Sequence, residues 1–164
     1  MNWLKQIFIK NKVYLLLLLF ILMAHLPVGL YKIVIIKPAF ILMTIFFFSI
    51  FKETRPNQLI LIVFGLIEDF LGSFLIGISS FSYVLISLCA IANTRGLLQQ
   101  RFNVVWIVLA LSLAIVYCLN AIALSVYMQG NYFTHDLFVE YLASILLYPL
   151  LHLVYLKKIN WFRY

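Results

Sequence analysis

A few charged residues divide the sequence into long apolar runs. No charged residue lies between Lys12 and Lys32, and the run 13–31 is close to the length that crosses a bilayer as a helix, about 20 mostly apolar residues. Charged residues make up 10% of the 164 residues and hydrophobic residues 66%. A soluble domain is about half apolar and about a quarter charged. The sequence therefore predicts a membrane protein and excludes a water-soluble globular domain.

The positions of charged and turn-forming residues predict six membrane spans. Polar segments with turn formers, such as 52–57, separate neighbouring spans. The stretch 58–93 carries only Glu68 and Asp69 as charges and is too long for one span, so we divide it at a tight hairpin near Gly77. The predicted fold is all-α, a single integral membrane domain over 1–164, with approximate spans 13–31, 33–51, 58–75, 79–94, 104–127 and 137–156.

Lysine and arginine are distributed unequally between the two sides of these spans. Cytoplasmic loops are enriched in both residues. With the N-terminus in the cytoplasm, ten of the twelve lie on the cytoplasmic side, and only Lys32 and Lys37 lie outside. Both termini are therefore predicted to be cytoplasmic, and Trp106 falls at the cytoplasmic interface. The net charge of +7 then reflects membrane topology, so we expect contacts with lipids and none with nucleic acid.

Two adjacent carboxylates, Glu68 and Asp69, lie within a predicted span. Placing a carboxylate at that depth costs about 2.5–3.5 kcal/mol on insertion scales, so such groups tend to face protein or water. Neighbouring helical residues point about 100° apart, which argues against a catalytic dyad. Asp69 shares a stripe with Ile62, Gly65, Gly72 and Ile76, and small residues allow another helix to approach closely.

Two interpretations of Asp69 remain open from the sequence. In the first, which we favour, Asp69 is a packing or folding residue that is bonded to another helix. In the second, it binds a ligand, an ion or a partner. Glu68 lies on the adjacent, more apolar stripe of the same helix, and the sequence assigns Glu68 no role.

The other reactive side chains form no recognisable site. The three histidines are far apart in the sequence, and no metal-ligand spacing joins them to the cysteines. Cys89 and Cys118 lie inside apolar spans, where we expect small buried side chains rather than a disulfide. There is no Gly-rich phosphate loop and no G-x-S-x-G motif. We therefore predict no catalytic residue, no metal site and no cofactor.

The segment from Pro38 to Arg95 resembles the rod shape-determining membrane protein MreD family. Pro38 precedes an apolar span, the run from Gly65 to Asp69 is similar to the family's G-L-x-x-D, and Gly77 follows eight residues later. Pro149 lies in a stretch that looks like the Pro-containing last span of the family. Many members have an aromatic pair ending in Trp in the second span, where this chain has three phenylalanines at 46–48.

The resemblance implies a non-enzymatic scaffold of the bacterial cell-elongation machinery in the inner membrane. Its expected partner is MreC, and within the same complex it would help couple the MreB filament to RodA and a penicillin-binding transpeptidase, which build peptidoglycan. The resemblance and the glycine stripe together indicate four helix-packing or partner-binding residues: Gly65, Asp69, Gly72 and Gly77. Four further residues are additional candidates: Pro38, Glu68, Arg95 and Pro149.

The same resemblance supplies the alternative function. The family is similar in fold to the substrate-binding S-components of energy-coupling-factor vitamin transporters. An S-component would hold its ligand in a cavity in the outer half of the bundle, into which Asp69 would project.

Arg95 has two interpretations of its own: it pins a cytoplasmic loop to lipid headgroups, or it docks a cytoplasmic partner.

Overall fold

The computed structural model describes residues 2–25, 39–51, 54–72, 75–94, 102–128 and 135–162. These residues form six α-helices and no strand, so the all-helical prediction is confirmed. The helices are α1 (Asn2–His25), α2 (Phe40–Ile50), α3 (Gln58–Gly72), α4 (Ile78–Ala92), α5 (Phe102–Met128) and α6 (His135–Phe162).

The helices differ in how much apolar length they offer to a membrane. In the described part of the chain, the segment Asn103–Tyr127 of α5 is long and apolar enough to cross a bilayer by length and composition. The other apolar segments, in α1, α2, α4 and α6, are shorter: Asn11–Leu22, Phe40–Ile50, Ile78–Ala92 and Leu137–Leu153.

Helix α2 forms the centre of the fold. Nine of its eleven residues are buried, including the three consecutive phenylalanines Phe46, Phe47 and Phe48. A helix that is apolar on every side is one that other helices surround. Here α1, α4, α5 and α6 all pack against α2, and the ring of Phe46 meets that of Tyr148 edge to face. Helix α3 packs instead on α4 and α1, at the edge of the bundle.

A proline and a tryptophan join α5 to α6. Pro149 lies inside α6 and has no N–H to donate to the carbonyl of Ile145, four residues earlier. The indole Nε1 of Trp106 on α5 donates to that carbonyl at 3.0 Å. Trp106 thus satisfies the backbone acceptor that Pro149 leaves unpaired. The sequence predicted only that Trp106 lies at a membrane interface, and it did not predict this hydrogen bond.

Candidate functional site

The α3–α4 hairpin contains the acidic pair and the three glycines that the sequence singles out. Asp69 is buried, with 1% of its side chain exposed. Its Oδ2 accepts a hydrogen bond from the Gly77 amide at 2.7 Å, and its Oδ1 accepts one from the Ser79 amide at 3.1 Å. The first amides of a helix have no partner within the helix, and a carboxylate there also complements the helix dipole. Asp69 therefore caps the start of α4.

Gly77 forms the turn into α4 in a backbone conformation that favours glycine. Its φ is +104°, in the left-handed region, which residues with a Cβ seldom adopt. The space around it is open, so the requirement for glycine comes from the backbone and not from crowding. The Gly77 carbonyl then accepts from the Phe81 amide at 2.9 Å, which closes the first turn of α4.

At Gly65 the backbones of α3 and α4 approach too closely for a side chain. A Cβ at Gly65 would overlap the Cα and amide nitrogen of Ser80 and would lie 2.7 Å from its Oγ. The same Ser80 hydroxyl donates to the Ile62 carbonyl at 2.9 Å. Because glycine alone fits there, Gly65 sets the distance at which Asp69 can reach the start of α4.

Glu68 turns to a different partner from Asp69. The hydroxyl of Tyr83 on α4 donates to Glu68 Oε2. Tyr83 is 3% exposed, whereas Glu68 is half-buried. No pattern in the sequence indicates this pair, because its formation depends on the register of α3 against α4. The two adjacent carboxylates thus bind separate donors.

A polar cluster ties the other end of the hairpin to α2. Arg55 donates from Nε to the Ser49 carbonyl at 3.2 Å and from Nη2 to Thr94 Oγ1 at 3.5 Å. Gln58 donates to the Ser87 hydroxyl, which also bonds with the Ser49 hydroxyl, both at 3.0 Å. These bonds fix the ends of α2, α3 and α4 relative to one another. Sequence reasoning did not single out any of these five residues as a contact.

The structure brings together some of the predicted site residues and separates others. Gly65, Asp69 and Gly77 act in one hairpin, Gly72 is the last residue of α3, and Pro149 lies in α6. Pro38 and Arg95 lie outside the described residues.

Two positions differ from what the sequence predicted. The stripe through Asp69 does not continue to Ile76, because α3 ends at Gly72 and Ile76 lies in the turn with 72% of its side chain exposed. Cys118 is exposed on α5 rather than buried.

The chemistry available to the hairpin is capping, packing and hydrogen bonding. In the described ranges, no three His, Cys, Asp or Glu side chains are placed so that they could hold a metal ion. Both Asp69 oxygens are used by backbone amides. A carboxylate has about four acceptor sites, so Glu68 can accept further donors besides Tyr83.

The comparisons with known proteins identify the family. The model of the family described as rod shape-determining protein MreD matches residues 5–159, nearly the whole chain. No curated protein and no solved structure matches the chain. The match includes the α3–α4 hairpin and extends well beyond the segment on which the sequence resemblance rested. The family is a shape-determining, membrane-associated one and is not a known enzyme family. The chain therefore belongs to the MreD family of rod shape-determining proteins.

Proposed function

We propose that the protein is a non-enzymatic scaffold of the bacterial cell-elongation complex. It crosses the inner membrane six times, with both termini in the cytoplasm. It binds MreC and, in the same complex, works with MreB, RodA and a penicillin-binding transpeptidase to direct peptidoglycan synthesis. The observation that carries the proposal is the family match over residues 5–159.

The bonding of the deep polar groups supports a scaffold over a catalyst. Asp69 holds the start of α4, and the cluster around Arg55 holds the other end of the hairpin. These groups are occupied in joining helices, which keeps the hairpin in one shape. A fixed hairpin in turn fixes the outward side of α3, an apolar surface open to lipid or to a partner: Leu59, Val63, Leu66 and Phe70.

The test is complementation in rod-shaped bacteria depleted of their own MreD. The wild-type chain should restore the ratio of cell length to width and should co-purify with MreC. Asp69→Ala should reduce both, because the hairpin loses its cap, whereas Ser79→Ala keeps the capped amide and should behave as wild type. A stably inserted wild-type chain that neither restores rods nor retains MreC would contradict the proposal.

The alternative, a vitamin-binding S-component, stays a prediction. It expects Asp69 to project into a ligand cavity, yet both Asp69 oxygens bond to backbone amides of the hairpin. A small molecule retained through purification in detergent would favour this alternative over the scaffold.

A further inference from the structure

Helices α1 and α3 contact each other through Tyr14 and Phe64, and apolar side chains farther along both helices are partly exposed. The rings of Tyr14 and Phe64 lie 6.3 Å apart, and the Tyr14 hydroxyl accepts from the Asn57 amide at 3.1 Å. One and two turns beyond Tyr14, Leu18 is 44% exposed and Leu22 is 53% exposed. We name the surface that continues from this contact the α1–α3 groove and define it by Leu18, Leu22, Phe64, Glu68 and Leu71.

Glu68 lies in the α1–α3 groove one turn beyond Phe64. It is about 15 Å along α3 from Gln58 and about 6 Å short of the end of α3, at a rise of 1.5 Å per residue. Its neighbour on the groove, Leu71, is 50% exposed, so the surroundings are apolar and open. Tyr83, which is buried, donates to Oε2, and the acceptor capacity of a carboxylate leaves Glu68 able to bind a further donor.

We propose that Glu68 is the docking point for a basic side chain carried by a membrane-spanning helix of a partner protein, which lies in the α1–α3 groove. The proposal rests on the proposed function, since it names the kind of partner segment that a scaffold would bind. Acidic groups within a membrane pair with other polar groups or with water. Acyl chains can cover Leu18, Leu22 and Leu71, but they offer no donor to a carboxylate. A helix with a lysine or arginine at that depth supplies both an apolar surface for these leucines and a donor for the carboxylate.

A defined peptide tests this docking point on the full-length protein in lipid nanodiscs. The probe is a labelled leucine-rich helix of about 20 residues that carries one lysine at the depth of Glu68. The matched peptide has leucine at that position. Energy transfer to the labelled protein should show the lysine peptide binding about tenfold more tightly than the leucine peptide, a preference of the size that polar contacts give between membrane helices.

Matched variants show whether the preference for the lysine peptide depends on Glu68. Glu68→Gln keeps an oxygen that can accept from Tyr83, so the fold should be retained while the preference for lysine is lost. Glu140→Gln removes a carboxylate from α6, which packs on α5 and α2, and should leave the preference unchanged. Tyr83→Phe frees Glu68 to move and should reduce the ratio of the two peptide affinities by about half.

Three outcomes would overturn the proposal. They are equal binding of the two peptides, a lysine preference that persists in Glu68→Gln, and Glu68-dependent association between two copies of this protein in place of peptide binding. The peptide assay is independent of cell shape. Failure of the docking point therefore shows as equal peptide binding in a protein that restores rods, and failure of the scaffold proposal shows as loss of rods and of MreC.

Discussion

Three residues of the α3–α4 hairpin each meet a different physical requirement. Gly65 gives the backbones room to approach, Asp69 satisfies two amides at the start of α4, and Gly77 adopts a positive φ. None of the three can replace another. A change at any one therefore disturbs the same turn through a separate mechanism, and the mechanisms can be told apart by substitution.

Asp69→Ala should lower the free energy of unfolding by about 1–3 kcal/mol, because it leaves two partly buried amides without their acceptor. Asp69→Asn keeps one acceptor oxygen and should cost less than alanine. Titration with dodecyl sulfate in mixed micelles measures both. Ser79→Ala serves as the control, since the amide that Asp69 binds remains, and a loss there equal to that of Asp69→Ala would contradict the capping role.

Gly65→Ala should also destabilise the protein, by about 1–3 kcal/mol, because overpacking forces backbones apart. The overlap is with the Cα and amide of Ser80, so shortening that side chain in Gly65→Ala/Ser80→Gly should not restore stability. Leu66→Ala, on the exposed side of α3, should change stability by less than about 0.5 kcal/mol. Full rescue by Ser80→Gly in the same titration would show that the side chain, and not the backbone, is the obstacle.

The sequence indicated that Asp69 bonds to a neighbouring helix, but not to which atoms. A carboxylate between two glycines at helical spacing indicates a close helix contact. The amides that it binds, at Gly77 and Ser79, are set by the shape of the turn between the helices. The partner of Glu68 was equally beyond prediction, since Tyr83 meets it only in the observed register of α3 on α4.

At the scale of elements, a hydrogen bond from Trp106 on α5 to the Ile145 carbonyl on α6 joins the two helices. The Ile145 carbonyl lacks its helical donor because of Pro149, and Trp106 supplies one from the other helix. The sequence showed a proline within an apolar span and a tryptophan far from it. Only the packing of α5 on α6 makes them complementary, so no pattern in the sequence predicts this contact.

Trp106→Phe should cost about 1 kcal/mol in unfolding free energy, since it removes a hydrogen bond between two packed helices. In the Pro149→Ala background, residue 149 regains an amide for the Ile145 carbonyl, so the same substitution should cost less. A double-mutant cycle in the dodecyl sulfate titration measures this coupling. Equal costs in the two backgrounds would mean that the bond to Ile145 O does not stabilise the α5–α6 pair.

At the scale of the whole molecule, the distribution of lysine and arginine and the hairpin position make a joint prediction of topology. In a variant whose native cysteines are replaced by alanine, Ile76→Cys should react with a membrane-impermeant maleimide in intact spheroplasts. Asn93→Cys should react only after permeabilisation. Both positions are exposed in the structure, so access depends on the side of the membrane. Reaction of Asn93→Cys in intact spheroplasts would contradict the proposed orientation.

The short arms of the hairpin have a consequence for the bilayer itself. Each of α3 and α4 has 15 residues. An arm of that length rises about 22 Å, against about 30 Å of hydrocarbon. One response of a bilayer to such hydrophobic mismatch is local thinning around the protein. In the proposed topology, the edge of the protein formed by α3 would therefore pull the two leaflets together, and membranes with short acyl chains would accommodate it with less deformation than thick ones.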